Sequence, residues 1–342
     1  MIGFGIVGYG YWGPNLVRNF SEAPGAQVIA VSDLREDRLG QVRSRFPSIK
    51  VTSNYHELLA DPTIDAIAIA TPVATHFHLA MEALSAGKHV FVEKPLATNT
   101  EQGERMVEEA ARCRRVLMVD HTFVYTGAIR KIKELLTAAR LGQLYYYDSV
   151  RVNLGLFQYD VNVLWDLAVH DLAIMDYLLD SRPCAVAATG MAHVPGQPKD
   201  VAYLTCFFDN NLIAHFHVNW LAPVKIRRTL IGGCKKMIVY DDLEPSEKIK
   251  VYDKGITVKN GAEERYAMMV GYRTGDMWAP QLDTTEALRV EAAHFVNCID
   301  NGRVPITDGQ VGLRVVRILE AATQSMSQRG RPVEMHWEGA RN

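Results

Sequence analysis

Short apolar segments alternate with stretches of helical periodicity through the first 120 residues, and this alternation constrains the fold more than any other feature. The apolar segments are rich in valine and isoleucine and show no polar alternation, as expected for strands covered on both faces. Strands joined through helices pair in parallel, so the pattern predicts a doubly wound parallel sheet. The predicted strands are Ile2–Val7, Gln27–Ser32, Ala66–Ala70, His89–Val92 and Val116–Val119, and the predicted helices are Pro14–Phe20, Arg35–Phe46, Ala74–Ala86 and Thr100–Arg112.

After residue 120 the pattern changes to apolar–polar alternation, which is typical of strands with one covered face. Leu212–Trp220 predicts a half-buried antiparallel strand, and Leu144–Leu154 alternates in the same way. We therefore expect a first domain of residues 1–120 and a second, residues 121–342, that is α+β with a large, open, mostly antiparallel sheet. Its predicted helices are Tyr125–Arg140, Asp166–Leu179, Thr285–Ile299 and Gly309–Ser327.

Composition excludes several classes of function. The formal net charge of -2 supplies no basic surface for nucleic acid or for an anionic membrane. No apolar run approaches the roughly 20 residues that cross a bilayer. The five cysteines include no CxxC pair, so neither a disulfide framework nor a zinc site is indicated, and a reducing, cytoplasmic location is expected.

A glycine-rich turn follows the first predicted strand and precedes the first helix. It reads Gly8-Tyr9-Gly10-Tyr11-Trp12-Gly13, the GxGxxG pattern of dinucleotide-binding sites. Gly8 would allow the tight turn, Gly10 the approach of a pyrophosphate, and Gly13 close packing of helix on strand. The same glycines could also serve a tight turn that binds nothing. We expect Gly8, Gly10, Tyr11, Trp12 and Gly13 to contact the cofactor.

Asp33 ends the second predicted strand, twenty residues beyond Gly13. A carboxylate there accepts hydrogen bonds from the adenosine ribose hydroxyls and repels a 2′-phosphate, so NAD is preferred over NADP. Arg35 lies nearby and could weaken that preference. Asp33 could also cap the following helix.

Glu93-Lys94-Pro95 directly follows the strand His89–Val92, at the sheet edge where ligands of doubly wound folds collect. A lysine at this edge can donate a hydrogen bond to a substrate oxygen and favour negative charge on it. Pro95 stiffens the turn, and the peptide bond before it can be cis. A solvated surface lysine is the alternative interpretation.

These motifs, in this order, resemble the Gfo/Idh/MocA family of oxidoreductases. The family also has an Asp-x-x-x-His element in its second domain, which matches Asp166 and His170 here. The resemblance implies that His170 is the general base, that Asp166 orients the substrate or the catalytic pair, and that Lys94 binds the reacting oxygen. It places Thr71, Pro72, His76, Glu93 and Lys94 beside the NAD cofactor. A structural role is the alternative for His76, and capping or packing of its own helix is the alternative for His170.

The resemblance is closest to the branch that acts on nucleotide-activated sugars. Arg151 and Asn153 share one strand face and could meet hydroxyls or a phosphate, and Trp165 could stack on a sugar ring. Arg151 could equally be a surface salt-bridge residue. Two departures affect substrate contacts: Val163-Leu164-Trp165 stands where relatives carry glycines, and His121–Ala128 lacks a common arginine and proline. The alternatives are an inositol or free-sugar dehydrogenase, a non-catalytic NAD-binding regulator and an NAD-dependent glycoside hydrolase.

His215 and His217 share a strand face, which raises the question of a metal site. No Asp, Glu or Cys stands in register close to them in sequence, so no metal is expected. The same face is only moderately polar, and an open sheet of this kind requires cover. We therefore expect a homodimer or homotetramer that pairs these sheets.

Overall fold

The computed structural model describes residues 1–155, 161–258 and 270–337. Two compact units divide the chain. The first comprises Met1–Thr126 and Thr284–Arg317, and the second comprises the described parts of Gly127–Asp283 and Ile318–Asn342.

Strands and helices alternate through the first 120 residues, as predicted. A 3₁₀ turn at Thr122–Tyr125 follows the last of these strands. The elements are β1 (Ile2–Val7), α1 (Gly13–Glu22), β2 (Ala26–Ser32), α2 (Glu36–Arg45), β3 (Lys50–Thr52), α3 (Tyr55–Ala60), β4 (Ala66–Ile69), α4 (Val73–Ser85), β5 (His89–Glu93), α5 (Thr100–Cys113) and β6 (Leu117–Asp120).

These strands form a parallel sheet in the order β3-β2-β1-β4-β5-β6, which confirms the doubly wound fold. All four residues of β4 are buried, because helices cover both faces of the sheet. The sequence analysis did not identify β3 and α3. Since β3 has only three residues and none of them is fully buried, it carries no apolar run that would mark a strand.

The rest of the chain is richer in strands, and a π-helical turn lies at Leu164–Ala168. The elements are α6 (Gly127–Thr137), β7 (Leu144–Leu154), α7 (Val169–Leu178), β8 (Ala185–Met191), β9 (Val201–Phe207), β10 (Ile213–Asn219), β11 (Leu221–Gly233), β12 (Met237–Asp241), β13 (Ile249–Tyr252), β14 (Gly255–Val258), β15 (Val270–Arg273), β16 (Met277–Trp278), α8 (Ala287–Asn301), α9 (Gly309–Ser327) and β17 (Val333–Glu334).

The large sheet of the second unit has the order β16-β13-β12-β11-β7-β10-β9-β8-β17. It is mostly antiparallel, as predicted, and Phe216 and Trp220 on the predicted inner face are each 1% exposed. The prediction that the strand at Leu212–Trp220 is antiparallel is correct for one neighbouring strand and wrong for the other. Strand β10 pairs antiparallel with β9 but parallel with β7, because α7, β8 and β9 intervene between β7 and β10 and bring the chain back in the same direction.

Helix α8 packs in the first unit although it follows the second sheet in sequence. Phe295 is fully buried, and its ring lies 6.0 Å from that of Phe4, 6.3 Å from Phe20 and 5.5 Å from Phe91. The expected division at residue 120 assigns this helix to the second domain. Its apolar periodicity predicts a helix, but periodicity alone does not indicate which sheet the helix covers.

Candidate functional site

The three glycines of the glycine-rich loop differ in the space around them. Gly8 has a φ of +91°, and a Cβ there would lie 2.6 Å from the carbonyl oxygen of Ala70. A Cβ on Gly13, the first residue of α1, would lie 2.2 Å from the carbonyl oxygen of Gly8. A Cβ on Gly10, by contrast, would meet nothing within 4 Å. Gly10 therefore leaves open space in front of the positive end of α1, which suits a pyrophosphate.

Asp33 connects the end of β2 to this loop. Its Oδ2 accepts the backbone N–H of Tyr9 at 2.7 Å, and its Oδ1 accepts the N–H of Arg35 at 2.8 Å. Each oxygen keeps a second lone pair for a ligand hydroxyl. The Arg35 guanidinium binds Asp37 at 2.7 Å, and its side chain is 63% exposed.

A cavity of about 720 Å³ lies at this edge of the first unit. Its walls include Gly8, Gly10, Asp33, Thr71 and Pro72, as the sequence analysis expected. A further, unpredicted wall is made by the two residues between β3 and α3 and by the first two residues of α3. Because β3 has no apolar run that marks it as a strand, the sequence does not place the residues after it at a sheet edge. These additional wall residues are Ser53, Asn54, Tyr55 and His56.

Buried carboxyl groups lie beneath the glycine-rich loop. Glu93 and Asp120 are neighbours across β5 and β6, and Glu291 of α8 is 0% exposed. Burial, and secondly the nearby Asp120, raise the pKa of both glutamates well above the ordinary value. Asp120 accepts the indole N–H of Trp12 at 2.7 Å, so the loop is bonded directly to this cluster. Tyr11, by contrast, is 93% exposed.

Lys94 follows Glu93 at the end of β5 and is half-buried. Its backbone N–H donates to Oε2 of Glu93 at 3.2 Å, and the Lys94–Pro95 peptide bond is cis. His76 was expected to border the cofactor. The structure instead buries its ring, 1% exposed, between the carbonyl oxygens of Thr71 and Pro95.

In the second unit, Asp166 lies in the π-helical turn and His170 in the first turn of α7. The expectation of a single α-helix from Asp166 is therefore wrong at its start, and π-helical turns of this kind often occur at functional sites. The indole N–H of Trp220, which is 1% exposed, donates to Oδ2 of Asp166 at 2.9 Å. Trp220 stands between β10 and β11, where sequence analysis found only an apolar residue.

Of the three residues expected to meet the sugar outside the catalytic set, Arg151 and Trp165 have other partners. Arg151 binds Asp171 through two hydrogen bonds of 2.7 and 2.9 Å, with both side chains 5% exposed. Trp165 is 9% exposed and donates its indole N–H to the Thr323 hydroxyl at 2.9 Å. Asn153 is half-buried at the end of β7.

His215 and His217 lie on the half-buried face of β10. Nδ1 of His215 lies 3.5 Å from Oδ1 of Asp148 on β7, and the Tyr203 ring stacks on His217 at 4.6 Å. Sequence proximity could not reveal Asp148, because the sheet brings it opposite His215. Over the described ranges, no group of three or more His, Cys, Asp or Glu side chains is arranged to hold a metal. Nor does any described helix have the length and apolarity needed to cross a membrane.

Two sequence profiles of the Gfo/Idh/MocA family match the chain. The profile described as "Oxidoreductase family, NAD-binding Rossmann fold" matches residues 2–121. The profile described as "Oxidoreductase family, C-terminal alpha/beta domain" matches residues 133–335. Together they cover both predicted parts of the chain.

Individual relatives extend over nearly the full length. A UDP-N-acetylglucosamine 3-dehydrogenase of Acidithiobacillus ferrooxidans is 27% identical over 91% of this chain and 93% of its own. A solved structure of that enzyme has a TM-score of 0.79 at 25% identity and covers 95% of this chain and 97% of its own. A myo-inositol 2-dehydrogenase of Thermotoga maritima is 24% identical over 95% of this chain and 96% of its own.

Proposed function

The chain belongs to the Gfo/Idh/MocA family of NAD-binding oxidoreductases, and we propose that it transfers hydride between NAD and a secondary alcohol or ketone of a nucleotide-activated sugar. The observation that carries the proposal is the presence of Lys94, Asp166 and His170 in a chain whose glycine-rich loop fits a pyrophosphate. A pure regulator would not need all three.

The preference for NAD over NADP rests on Asp33. The carboxylate lines the cavity and is held by two backbone N–H groups, so it cannot turn away from a 2′-phosphate without losing both. Arg35, the nearest basic side chain in sequence, is already paired with Asp37. Both features support NAD as the cofactor.

We assign the chemistry to three side chains. The cofactor, when bound, accepts or returns the hydride. The imidazole of His170 removes the hydroxyl proton in the oxidative direction and returns it in the reductive direction. The Lys94 ammonium donates a hydrogen bond to the reacting oxygen, which stabilises negative charge there. Asp166, fixed by the Trp220 indole, orients the substrate or the His170 ring.

The similarity to a UDP-N-acetylglucosamine 3-dehydrogenase supports a nucleotide sugar, and the similarity to a myo-inositol 2-dehydrogenase supports a cyclitol as the second candidate. The test mixes purified protein with NAD and a panel of UDP-sugars, TDP-sugars, free sugars and inositols, and follows NADH absorbance. Net NADH with a nucleotide sugar supports the first proposal, and net NADH with an inositol alone replaces it with the second. Tight NAD binding without turnover indicates a regulator, and glycoside cleavage without net NADH indicates a hydrolase.

We also propose that the protein is a cytoplasmic dimer or tetramer joined through the open face of the large sheet. Tyr203 and Ile213 on that face are 43% and 44% exposed, which is a large apolar area to leave in water. All five cysteines are free thiols, and free thiols persist in a reducing compartment. Light scattering that shows a monomer would contradict the assembly.

A further inference from the structure

The His76 ring joins the two loops that follow β4 and β5. Its Nε2 lies 2.8 Å from the carbonyl oxygen of Thr71, and its Nδ1 lies 2.9 Å from the carbonyl oxygen of Pro95. Thr71 lines the cavity, whereas Pro95 directly follows Lys94. One buried side chain on α4 therefore connects the wall of the proposed cofactor site to the turn that carries the proposed catalytic lysine.

The ring does not itself line the cavity, although Thr71, Pro72 and Thr75 do. The ring is 1% exposed and has a backbone carbonyl oxygen against each nitrogen, so no ligand reaches either nitrogen. A neutral ring donates its one N–H to one of these carbonyls and packs against the other. His76 therefore acts on the site through the backbone that it holds.

We propose that His76 is a positioning residue, which fixes the turn carrying Lys94 against the Thr71–Pro72 loop and so determines where the Lys94 ammonium meets the substrate oxygen. The proposal rests on the function assigned to Lys94 above. An error of about 1 Å in the position of a catalytic group can lower a rate on the order of a hundredfold, so a buried link of this kind has a direct effect on turnover.

The first test requires no substrate. Hydrogen exchange of backbone amides in residues 94–98 is compared between the wild type, His76→Leu and His89→Gln. His89 is the matched control, because it lies at the opposite end of β5 and its Nδ1 accepts the N–H of Val116 at 3.0 Å. We expect exchange in 94–98 to rise on the order of tenfold in His76→Leu and to stay unchanged in His89→Gln. Unchanged exchange in folded His76→Leu would overturn the proposal.

The second test is a double-mutant cycle on the intact enzyme. His76→Gln keeps a polar group and should lower kcat about tenfold, with the NAD dissociation constant within about twofold of wild type. If His76 acts through Lys94, then adding His76→Gln to Lys94→Ala should cost no further activity. A purely structural role predicts instead a lower melting temperature and equal losses in both backgrounds.

The two proposals fail in different ways. Wild-type turnover in Lys94→Ala would remove Lys94 from the mechanism and with it the proposed function, while the exchange experiment would still report whether His76 holds the turn. A strong loss in Lys94→Ala with additive effects in the cycle would leave the function intact and refute the role of His76.

Discussion

The two units hold their proposed catalytic side chains in different ways. In the first unit, Lys94 follows directly on β5, and its neighbours Glu93 and Pro95 belong to the same short motif. In the second unit, Asp166 lies in a π-helical turn and is fixed by Trp220, which stands 54 residues further along the chain. The lysine at the strand end lies in a short sequence motif whose buried contact, His76, is 19 residues before Pro95 in the chain, whereas the π-helical turn depends on a partner 54 residues away.

The largest effect should come from the catalytic groups themselves. We expect Lys94→Ala and His170→Ala each to lower turnover on the order of a thousandfold, because each removes a group assigned to the reacting oxygen or its proton. NAD affinity, measured by fluorescence titration, should stay near the wild-type value in both variants. Near-normal turnover in His170→Ala would refute its assignment as the base. The second unit would then lack its proposed base.

The second-largest effect should come from losing the hydrogen bond between Trp220 and Asp166. Trp220→Phe keeps the buried ring but removes the N–H that reaches Asp166, and we expect kcat to fall about tenfold, because a hydrogen bond to a charged group contributes about 1.5–3 kcal/mol. Trp337→Phe is the matched control in the same unit, since that indole donates to the carbonyl oxygen of Pro183 at 2.7 Å. Equal turnover in the two variants would show that Asp166 does not depend on Trp220.

Asp33→Asn should weaken the preference for NAD over NADP on the order of tenfold, because it removes the negative charge that repels the 2′-phosphate. The measurement is the ratio of kcat/KM for the two cofactors. Since the amide keeps a hydrogen-bond acceptor for the Tyr9 N–H, the loop should retain its position. An unchanged ratio would remove Asp33 from the cofactor site.

The smallest effect concerns the buried carboxyl groups of the first unit. Glu291 has a pKa raised above its unfolded value, so it binds more protons in the folded state, and its contribution to stability is lost as the pH rises through the folded pKa. Glu291→Gln should therefore be more stable than wild type at pH 8, and the difference should shrink toward pH 5. Urea unfolding across this range measures it.

Glu108→Gln is the control for the pH experiment, because Glu108 is exposed on α5 of the same unit. We expect its free energy of unfolding to follow the wild type at every pH. A Glu291→Gln variant that is less stable than wild type at pH 8 would mean that the buried carboxylate is ionised and bound by a partner.

The features that depend on short sequence motifs at the strand ends could be predicted from the sequence. The doubly wound sheet, the glycine-rich turn and the family are confirmed, because each depends on residues close together in the chain. The wall at Ser53 and Asn54, the parallel pairing of β10 with β7, and the burial of α8 in the first unit were not predicted. Each arises from contacts between distant segments, on which a local pattern carries no information.

The position of a side chain on a strand was also easier to predict than the group that it binds. The sequence places Arg151 on a polar strand face, where it could meet a substrate or form a surface salt bridge. The side chain instead lies in a buried ion pair with Asp171, which is itself next to His170. An arginine has the same appearance in sequence in either setting, and only the packing of α7 on the sheet distinguishes them.

That ion pair limits how the enzyme can be changed. A single substitution at Arg151 or Asp171 leaves the other charge buried without compensation, which costs about 3–5 kcal/mol, whereas replacement of both by apolar residues of similar volume is often tolerated. Mutant libraries that alter the substrate range should therefore leave both positions fixed or randomise them together. In a screen that varies one position alone, many variants will be inactive because they do not fold, and these carry no information about specificity.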